Sequence, residues 1–198
     1  MGRSPNRFLR RSGTLSYRRR FVLAVEGVKT EREYFAILGR IQQKITIKCL
    51  THKYKTSPTN VMDRLEDYLK KNKLNQSDEA WIVIDKDQWS YDQLNKVSHW
   101  SKLRENCGLA VSNPKFEFWL LLHFEDGDQG TSSQSCSTRL KQYLPAYDKG
   151  IESQWITKEQ IRLAVARARK RDTPPCSDWP KTPGVTTVYL LVDKITAE

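Results

Sequence analysis

The hydrophobic pattern at the start of the chain alternates between short apolar runs and helical spacing. Residues 19–25 (RRFVLAV) form a continuous apolar run, which is typical of a strand buried in a parallel sheet. Residues 30–41 are predicted to be helical. Residues 44–50 alternate apolar and polar side chains at a period of two. The chain therefore begins with a predicted strand, helix and second, less buried strand.

A capped helix and the most strand-like segment of the chain follow. Ser57 is suited to cap the helix, with Pro58 at its first position, and we expect the helix to end near Asn72. Residues 80–84 (AWIVI) lie between a polar stretch and an acidic sequence. This apolar run predicts a central strand.

The next segments continue the alternation. Ser90 can cap a third helix, residues 109–111 supply another short strand, and residues 115–124 (KFEFWLLLHF) predict a buried helix because they are apolar on nearly all sides. The buried face of the third helix is predicted to contain Leu94, Val97 and Leu103.

The last third of the chain contains a polar stretch and a basic helix. Residues 126–137 (DGDQGTSSQSCS) predict a flexible loop rather than a domain boundary. Thr157 and Gln160 have the spacing of a capping box, which predicts that residues 158–171 are helical. Strands that alternate with helices predict an α/β fold, Rossmann-like, with a mainly parallel sheet and helices on both faces.

Charge points to a polyanionic partner. The chain has 34 Lys and Arg against 23 Asp and Glu, a net charge of +11, which favours nucleic acid through counterion release. Residues 1–20 contain seven arginines and no acid. An organellar targeting peptide is an alternative, but no cleavage-like spacer follows. We predict a basic arm over residues 1–17 and a single domain over residues 18–198.

Basic residues near the start of the chain and in the predicted basic helix are the candidates for phosphate contacts, although a run of charge is often only a solvated surface. These candidates are Arg10, Arg11, Arg18, Arg19, Arg20, Lys115, Arg167, Arg169, Lys170 and Arg171.

Cysteine usage and hydropathy predict a cytoplasmic protein without membrane association. The four cysteines have neither the spacing of a zinc site nor that of a compact disulfide framework. No apolar run approaches the roughly 20 residues that cross a bilayer.

Carboxylates follow three of the predicted strands. Ligands bind beyond the carboxyl ends of strands in an open parallel sheet, and Glu26, Asp85 and Asp87 lie there. Glu117 is the lone acid in the apolar segment after the fourth strand. Clustered carboxylates repel one another unless protons or a cation neutralise them, and hard oxygen ligands suit Mg²⁺ or Mn²⁺. The pattern predicts a metal site for phosphoryl transfer.

Simpler interpretations remain for each segment taken alone. Glu26 with Gly27, and Asp85 with Asp87, are also typical of turns after strands. Glu117 is also consistent with a buried ion pair to Lys115. His123, on a mostly apolar helix, is more typical of a core histidine than of a catalytic base. The chain contains no phosphate-binding GxxxxGK[ST] loop and no HExxH or GxSxG sequence.

Three blocks of sequence resemble the RloB-like proteins, a family with a Toprim-like fold. They are residues 26–35 (EGVKTEREYF), residues 85–87 (DKD) and residues 112–119 (SNPKFEFW) with residues 122–124 (LHF). Their order and spacing match the family pattern, and the likeness extends from about residue 19 to residues 183–191. One departure is Lys115, where relatives often have a small residue. The Lys115 side chain could contact a phosphate or pair with a nearby acid, and the sequence leaves both roles open.

The resemblance implies roles for the acidic residues. Glu26 would be the general acid/base or a metal ligand, Asp85 and Asp87 would hold Mg²⁺, and Glu117 is a further candidate for the same site. Glu31 is a weaker candidate whose role could be limited to stabilising the turn. The resemblance also implies phage defence together with a partner ATPase of the AAA or ABC-like class.

These expectations favour a metal-dependent endonuclease that cuts DNA or RNA. A second hypothesis is a non-catalytic subunit that binds nucleic acid or senses a phage product and regulates the ATPase. A third, another Toprim chemistry such as strand transfer or primer synthesis, is less favoured, because no zinc module or added domain is evident in the sequence.

Overall fold

The computed structural model describes residues 18–51 and 57–197, and the predicted arm of residues 1–17 lies outside them. The strands in this part of the chain are β1 (Arg19–Val25), β2 (Ile45–Leu50), β3 (Glu79–Asp85), β4 (Cys107–Asn113) and β5 (Val185–Thr186). The helices are α1 (Thr30–Ile41), α2 (Pro58–Lys71), α3 (Tyr91–Ser101), α4 (Phe116–Leu121), α5 (Ser133–Tyr143), α6 (Lys158–Arg171) and α7 (Val188–Thr196). A short 3-10 turn spans Ser153–Trp155.

The strands form one sheet in the order β2-β1-β3-β4-β5. Strands β1 to β4 are mutually parallel, and β5 adds a short antiparallel edge to β4. This confirms the predicted α/β fold with a mainly parallel sheet. After β1 the chain adds β2 on one side of it, and it then crosses over to add β3 and β4 on the other. The direction of winding therefore reverses between β1 and β3.

Alternate side chains of the strands supply two separate apolar layers. Phe21, Leu23 and Val25 of β1 pack in the larger layer, against α1 and helices α4 to α7. Val22 and Ala24 face the opposite layer, which α2 and α3 cover. Because both faces of the sheet are buried, the central strands are apolar at nearly every position, as their sequences predicted.

Helix starts agree with the capping signals in the sequence. The Ser57 hydroxyl accepts the Asn60 backbone N–H with Pro58 at the first helical position, and Ser90 begins α3 with a capping box. Thr157 and Gln160 form the predicted capping box of α6. Each arrangement satisfies backbone N–H groups that have no partner within the helix.

Two predictions of local structure are wrong. Leu103 is 64% exposed, since α3 ends at Ser101 and Leu103 lies in the turn beyond it. Residues 126–137 are not all loop, because Ser132 caps α5, which begins at Ser133. The capping box formed by Ser132 and Ser135, together with burial of Cys136, outweighs the polar composition of this stretch.

The predicted helix over residues 115–124 is shorter than its apolar sequence suggested. Helix α4 covers only Phe116–Leu121, and tight turns follow, in which His123 and Phe124 donate their backbone N–H groups to Leu120 and Leu121. The segment is buried as predicted. No helix in the described residues is both long and apolar enough to cross a bilayer.

A close contact between β3 and β4 provides a test of the packing. A Cβ atom on Gly108 would lie 2.5 Å from the Trp81 indole in the filled core. Gly108→Ala is therefore expected to destabilise the protein by about 1–3 kcal/mol in urea unfolding. Gly39→Ala in α1 is the matched control, because its Cβ would make an ordinary 3.7 Å contact with Ile47 and would raise helix propensity by about 0.5–1 kcal/mol. Equal effects of the two substitutions would contradict this packing.

Candidate metal centre in an acidic cleft

The acids gather where the winding of the sheet reverses. Strands β1 and β3 are adjacent and parallel, with Val25 in register with Val83. The Glu26 backbone N–H continues this ladder by donating to the Val83 carbonyl oxygen at 3.0 Å. Glu26 therefore lies beside the end of β3, where Asp85 is located. The carboxyl ends of strands at such a reversal form the usual ligand crevice of an open α/β sheet.

Two N–H groups fix the Glu26 carboxylate. One oxygen, Oε2, accepts the Asp85 backbone N–H at 3.0 Å, and Oε1 accepts the Trp89 indole N–H at 3.0 Å. Both donors belong to the end of β3 and the loop after it. Sequence reasoning missed Trp89, and the one available signal was its position two residues after Asp87.

Asp85 connects the site to the start of α4. Its Oδ1 accepts the Phe116 backbone N–H at 2.8 Å. The backbone N–H groups of Lys86 and Asp87 donate to Ser112 and Pro114 carbonyl oxygens at 2.8 and 2.9 Å. The Asn113–Pro114 peptide bond is cis. The two loops that carry the sequence blocks DKD and SNPKFE are therefore bonded to each other.

Asp87 differs from the other acids of this group. It is exposed, and its backbone has a φ of 26°, in the left-handed region that Asp tolerates better than most residues. Asp87 lines the cleft together with Asp85.

Glu31 belongs to the site more fully than its sequence context suggested. It is only 4% exposed, and its Oε1 accepts the Gly27 backbone N–H at 2.9 Å, so it does stabilise the turn after β1. A Cβ atom on Gly27 would lie 2.0 Å from the Glu31 carboxylate. Glycine is therefore required at position 27 for this approach. Glu31 also lines the cleft with Glu26 and Asp85.

Glu117 is half-buried in the first turn of α4 and accepts the Tyr147 hydroxyl at 3.2 Å. No ion pair forms between Glu117 and Lys115, because the Lys115 ammonium donates to the Ser137 hydroxyl at 2.6 Å. Tyr147 comes from the segment after α5, and it also contacts the Thr30 hydroxyl at 3.2 Å. Sequence reasoning did not single out Tyr147.

Burial and mutual repulsion raise the pKa values of the clustered carboxyls. Burial raises the pKa of Glu26 to about 7, against the two hydrogen bonds that lower it, and Glu31 and Asp87 add to the increase. The pKa of Asp85 lies well above its usual range because of burial and then because of Glu31, Glu26 and Glu117. Burial likewise raises the pKa of Glu31. The cluster therefore favours any partner that adds positive charge.

The acids line a cleft of about 460 Å³ that also contains three lysines, Lys29, Lys115 and Lys149. Lys149 lies beside Glu31 and lowers its pKa in part. Sequence reasoning considered Lys115 but missed the other two, which come from distant parts of the chain. Carboxylates next to ammonium groups can hold a cation and a phosphate side by side.

The donor set suits a hard divalent cation, but its present geometry does not form a complete cage. All the acids offer oxygen, the ligand that Mg²⁺ and Mn²⁺ prefer. Within residues 18–51 and 57–197, no three His, Cys, Asp or Glu side chains converge so as to hold one ion. Mg²⁺ commonly uses one or two protein carboxylates and retains several waters. The cleft fits that mode of binding better than a cage made only of protein ligands.

The basic residues near the start of β1 are not brought to the cleft. Arg18 is exposed, whereas Arg19 pairs with Glu79 and Arg20 with Asp78, at the amino end of the sheet opposite the acids. Arg10 and Arg11 lie outside the described residues.

The predicted basic residues of α6 lie largely in structural contacts. Arg167 pairs with Asp126 and donates to the Leu122 carbonyl oxygen at 2.9 Å. Arg171 pairs with Asp128 and donates to the Gly184 carbonyl oxygen at 2.6 Å. Both arginines fasten the loop before α5 to α6, and Arg171 also joins it to the segment that carries β5. Of the other two, Arg169 pairs with Asp193, and Lys170 is exposed.

His123 lies in the core, as its apolar surroundings predicted. It is 2% exposed, and its Nε2 lies 3.3 Å from the Tyr34 hydroxyl. Burial lowers the pKa of His123 to about 4, so the ring is neutral near pH 7. It has no place in the cleft.

The fold and the cleft together define an α/β protein with an acidic cleft at the reversal point of a doubly wound sheet. The family model described as RloB-like protein matches residues 21–195, nearly the whole chain. The chain belongs to the RloB-like family. Neither the curated proteins nor the solved structures gave a significant match.

The pKa of Glu26 predicts a pH effect on stability. The pKa of Glu26 is about 7 in the folded protein and 4.5 ordinarily, so folding favours the protonated carboxyl. The contribution of Glu26 to the free energy of unfolding is therefore fully present below about pH 4.5 and is lost as pH rises through 7. In EDTA, the Tm of the wild type is expected to fall more than that of Glu26→Gln between about pH 5 and pH 8. The full shift corresponds to on the order of 3 kcal/mol.

The matched control is Glu152→Gln, which changes an exposed glutamate outside the cleft and should retain the wild-type slope of Tm against pH. Parallel slopes for the wild type and Glu26→Gln would show that Glu26 ionises in the folded protein as it does in the unfolded chain.

Proposed function

We propose that the chain is a divalent-metal-dependent endonuclease of the Toprim type, which hydrolyses phosphodiesters in DNA or RNA. The observation that carries the proposal is the placement of Glu26 beside Asp85 at the reversal point of the sheet. A glutamate after the first strand and a DxD sequence after a later strand is the arrangement that the Toprim resemblance implies. The net charge of +11 favours a polyanionic substrate.

The residues of the cleft divide into three roles. Asp85 and Asp87 would hold Mg²⁺ or Mn²⁺, with Glu26 as a further candidate ligand. When bound, the ion would neutralise the charge that develops on the phosphate. Lys29 and Lys149, together with Lys115, line the same cleft and would contact the phosphate oxygens.

Glu26 is the proposed proton acceptor. Its carboxylate is oriented by the Asp85 and Trp89 N–H groups, so it is held in one position. In the reaction, a water oxygen forms a bond to phosphorus while the bond from phosphorus to the leaving sugar oxygen breaks. The water proton passes to Glu26, and the leaving oxygen takes up a proton from solvent water, which gives a phosphate monoester and a free hydroxyl.

A role in phage defence with a partner ATPase of the AAA or ABC-like class is part of the proposal. It rests on the resemblance of the sequence blocks to RloB-like proteins, and family membership supports it only in general terms. The exposed and basic surfaces of the domain are compatible with both nucleic acid and a protein partner.

A non-catalytic subunit that regulates such an ATPase is the second candidate function. The observation that favours it is that, over the described ranges, no three potential ligands converge on one point. Asp85 and Glu26 also have oxygens engaged by backbone or indole N–H groups. In this case the acids would stabilise the two loops that carry the DKD and SNPKFE blocks and would not bind a metal.

Cleavage assays distinguish the two candidates. Plasmid DNA and total tRNA are incubated with the protein in Mg²⁺, Mn²⁺ or EDTA, with and without the ATPase. Asp85→Asn is expected to lower the cleavage rate by at least about a hundredfold, because it removes the charge that would hold the cation. The matched control Asp67→Asn changes an exposed aspartate that pairs only with Lys70 and should cleave as the wild type does.

Metal-dependent cutting that Asp85→Asn abolishes would establish the nuclease. Wild-type rates in Asp85→Asn would contradict the assigned site. Absence of cutting under every condition, with a change in the ATPase rate of the partner, would instead establish the regulatory function.

Deletion of residues 1–17 tests the predicted basic arm. The deletion removes four arginines and is expected to weaken binding of labelled DNA. The plot of log affinity against log salt concentration should become shallower by about one for each phosphate that the arm neutralises in the wild type. An unchanged slope, measured by fluorescence anisotropy in EDTA, would show that the arm does not bind phosphates.

A further inference from the structure

An exposed aromatic ring lies next to the acidic cleft. Tyr91 is the first residue of α3, and the loop that precedes it carries Asp87 and Trp89. The Trp89 indole is bonded to the Glu26 carboxylate, so this loop forms one side of the site. Tyr91 is nevertheless 56% exposed. Among the described residues, only one other aromatic side chain, Tyr143, stands out as exposed.

Two lysines flank the Tyr91 ring. The ammonium groups of Lys86 and Lys181 each lie 5.8 Å from the ring centroid. Lys86 is the middle residue of the DKD block, and its ammonium donates to the carbonyl oxygens of Asp87 and Trp89 at 3.3 Å. Lys181 is paired with Asp178 at 3.0 Å. Two positive charges therefore lie near the ring, and each ammonium group also has partners within the protein.

A buried tryptophan supports the Tyr91 ring from below. Trp179 is 0% exposed, and its ring lies edge-on to Tyr91 with centroids 5.0 Å apart. The Trp179 indole N–H donates to Asn95 of α3 at 2.9 Å. Trp179 thus holds the Tyr91 ring in place, which lowers the entropy cost when a ligand stacks on that ring. A purely structural contact with Trp179 would not explain why more than half of the Tyr91 side chain is exposed to solvent.

We infer that Tyr91, with Lys86 and Lys181, binds an unpaired nucleobase and its adjoining phosphate. This inference rests on the proposed nuclease function and names its substrate class, a nucleic acid with an unpaired nucleotide beside the phosphate that is cut. Aromatic rings stack on bases of any identity, and lysines beside the ring neutralise the backbone. A base within a duplex already stacks on its neighbours, so its face is not available to Tyr91.

The platform is the set formed by Tyr91, Lys86 and Lys181. Binding measured in EDTA tests this platform separately from catalysis. The probes are 5′-labelled oligothymidine and oligouridine, together with the duplex of the oligothymidine and its complement, followed by fluorescence anisotropy. The wild type is expected to bind both single strands more tightly than the duplex. Tyr91→Leu still covers Trp179 but has no flat face, and it should weaken single-strand binding by about 5- to 150-fold, the range for one stacked base.

Tyr91→Phe retains the ring and should restore nearly wild-type affinity. Tyr143→Leu is the matched control, because Tyr143 is 40% exposed but lies at the end of α5, stacked on Phe124. This control should bind as the wild type does, and thermal unfolding of each variant shows that it is folded. A difference between the oligothymidine and oligouridine affinities would distinguish DNA from RNA as the bound strand.

Unchanged single-strand affinity in folded Tyr91→Leu would overturn the inference, as would equal weakening by Tyr143→Leu or preferential binding of the duplex by the wild type. These outcomes do not depend on cutting. A protein that cleaves but binds independently of Tyr91 would retain the nuclease proposal without the platform. One that never cleaves but has weaker single-strand binding in Tyr91→Leu would retain the platform without the nuclease.

Discussion

The parallel pairing of β1 with β3 is the constraint on which the rest of the site depends. These strands are neighbours in space although a helix, a strand and another helix separate them in the chain. The pairing places Glu26 and Asp85 side by side, where two like charges would repel at close range. Burial is the main cause of the raised pKa values of both groups, and nearby like charge adds to it, from Glu31 at Glu26 and from Glu31 and Glu26 at Asp85. The cleft is therefore arranged to attract positive charge.

Backbone hydrogen bonds, rather than ion pairs, hold the acids in place. The N–H groups of Asp85, Phe116 and Gly27 each donate to a carboxylate of the cluster. Such bonds orient the oxygens without supplying a full positive charge, so they do not neutralise the carboxylates. The three lysines of the cleft come from loops, and the Lys115 ammonium donates to the Ser137 hydroxyl. Acids and lysines that line one cleft suit a site that would hold a cation and a phosphate together.

The proposed Tyr91 platform adds a contact for a nucleotide outside the cleft. The loop after β3 carries Asp87, the Trp89 that orients Glu26, and Lys86 beside Tyr91. One short segment would therefore place the cation, the proton acceptor and the neighbouring nucleotide in register. By contrast, the arginines of α6 are largely engaged in fastening loops to one another, which makes them parts of the fold more than parts of a binding surface.

Local patterns in the chain were enough to predict the alternation of strands and helices, the two-sided burial of the sheet and the positions of Glu26, Asp85 and Asp87 at strand ends, because these follow from periodicity and capping. Leu103 was misjudged because α3 ends at Ser101, and the start of α5 because its capping box, formed by Ser132 and Ser135, lies within a polar stretch. The folded arrangement was needed to show that Glu31, Lys149 and Trp89 join the cleft, and that Arg19 and Arg20 lie at the opposite end of the sheet. Spacing along the chain cannot show which loops the crossovers bring to one edge, because that depends on strand order.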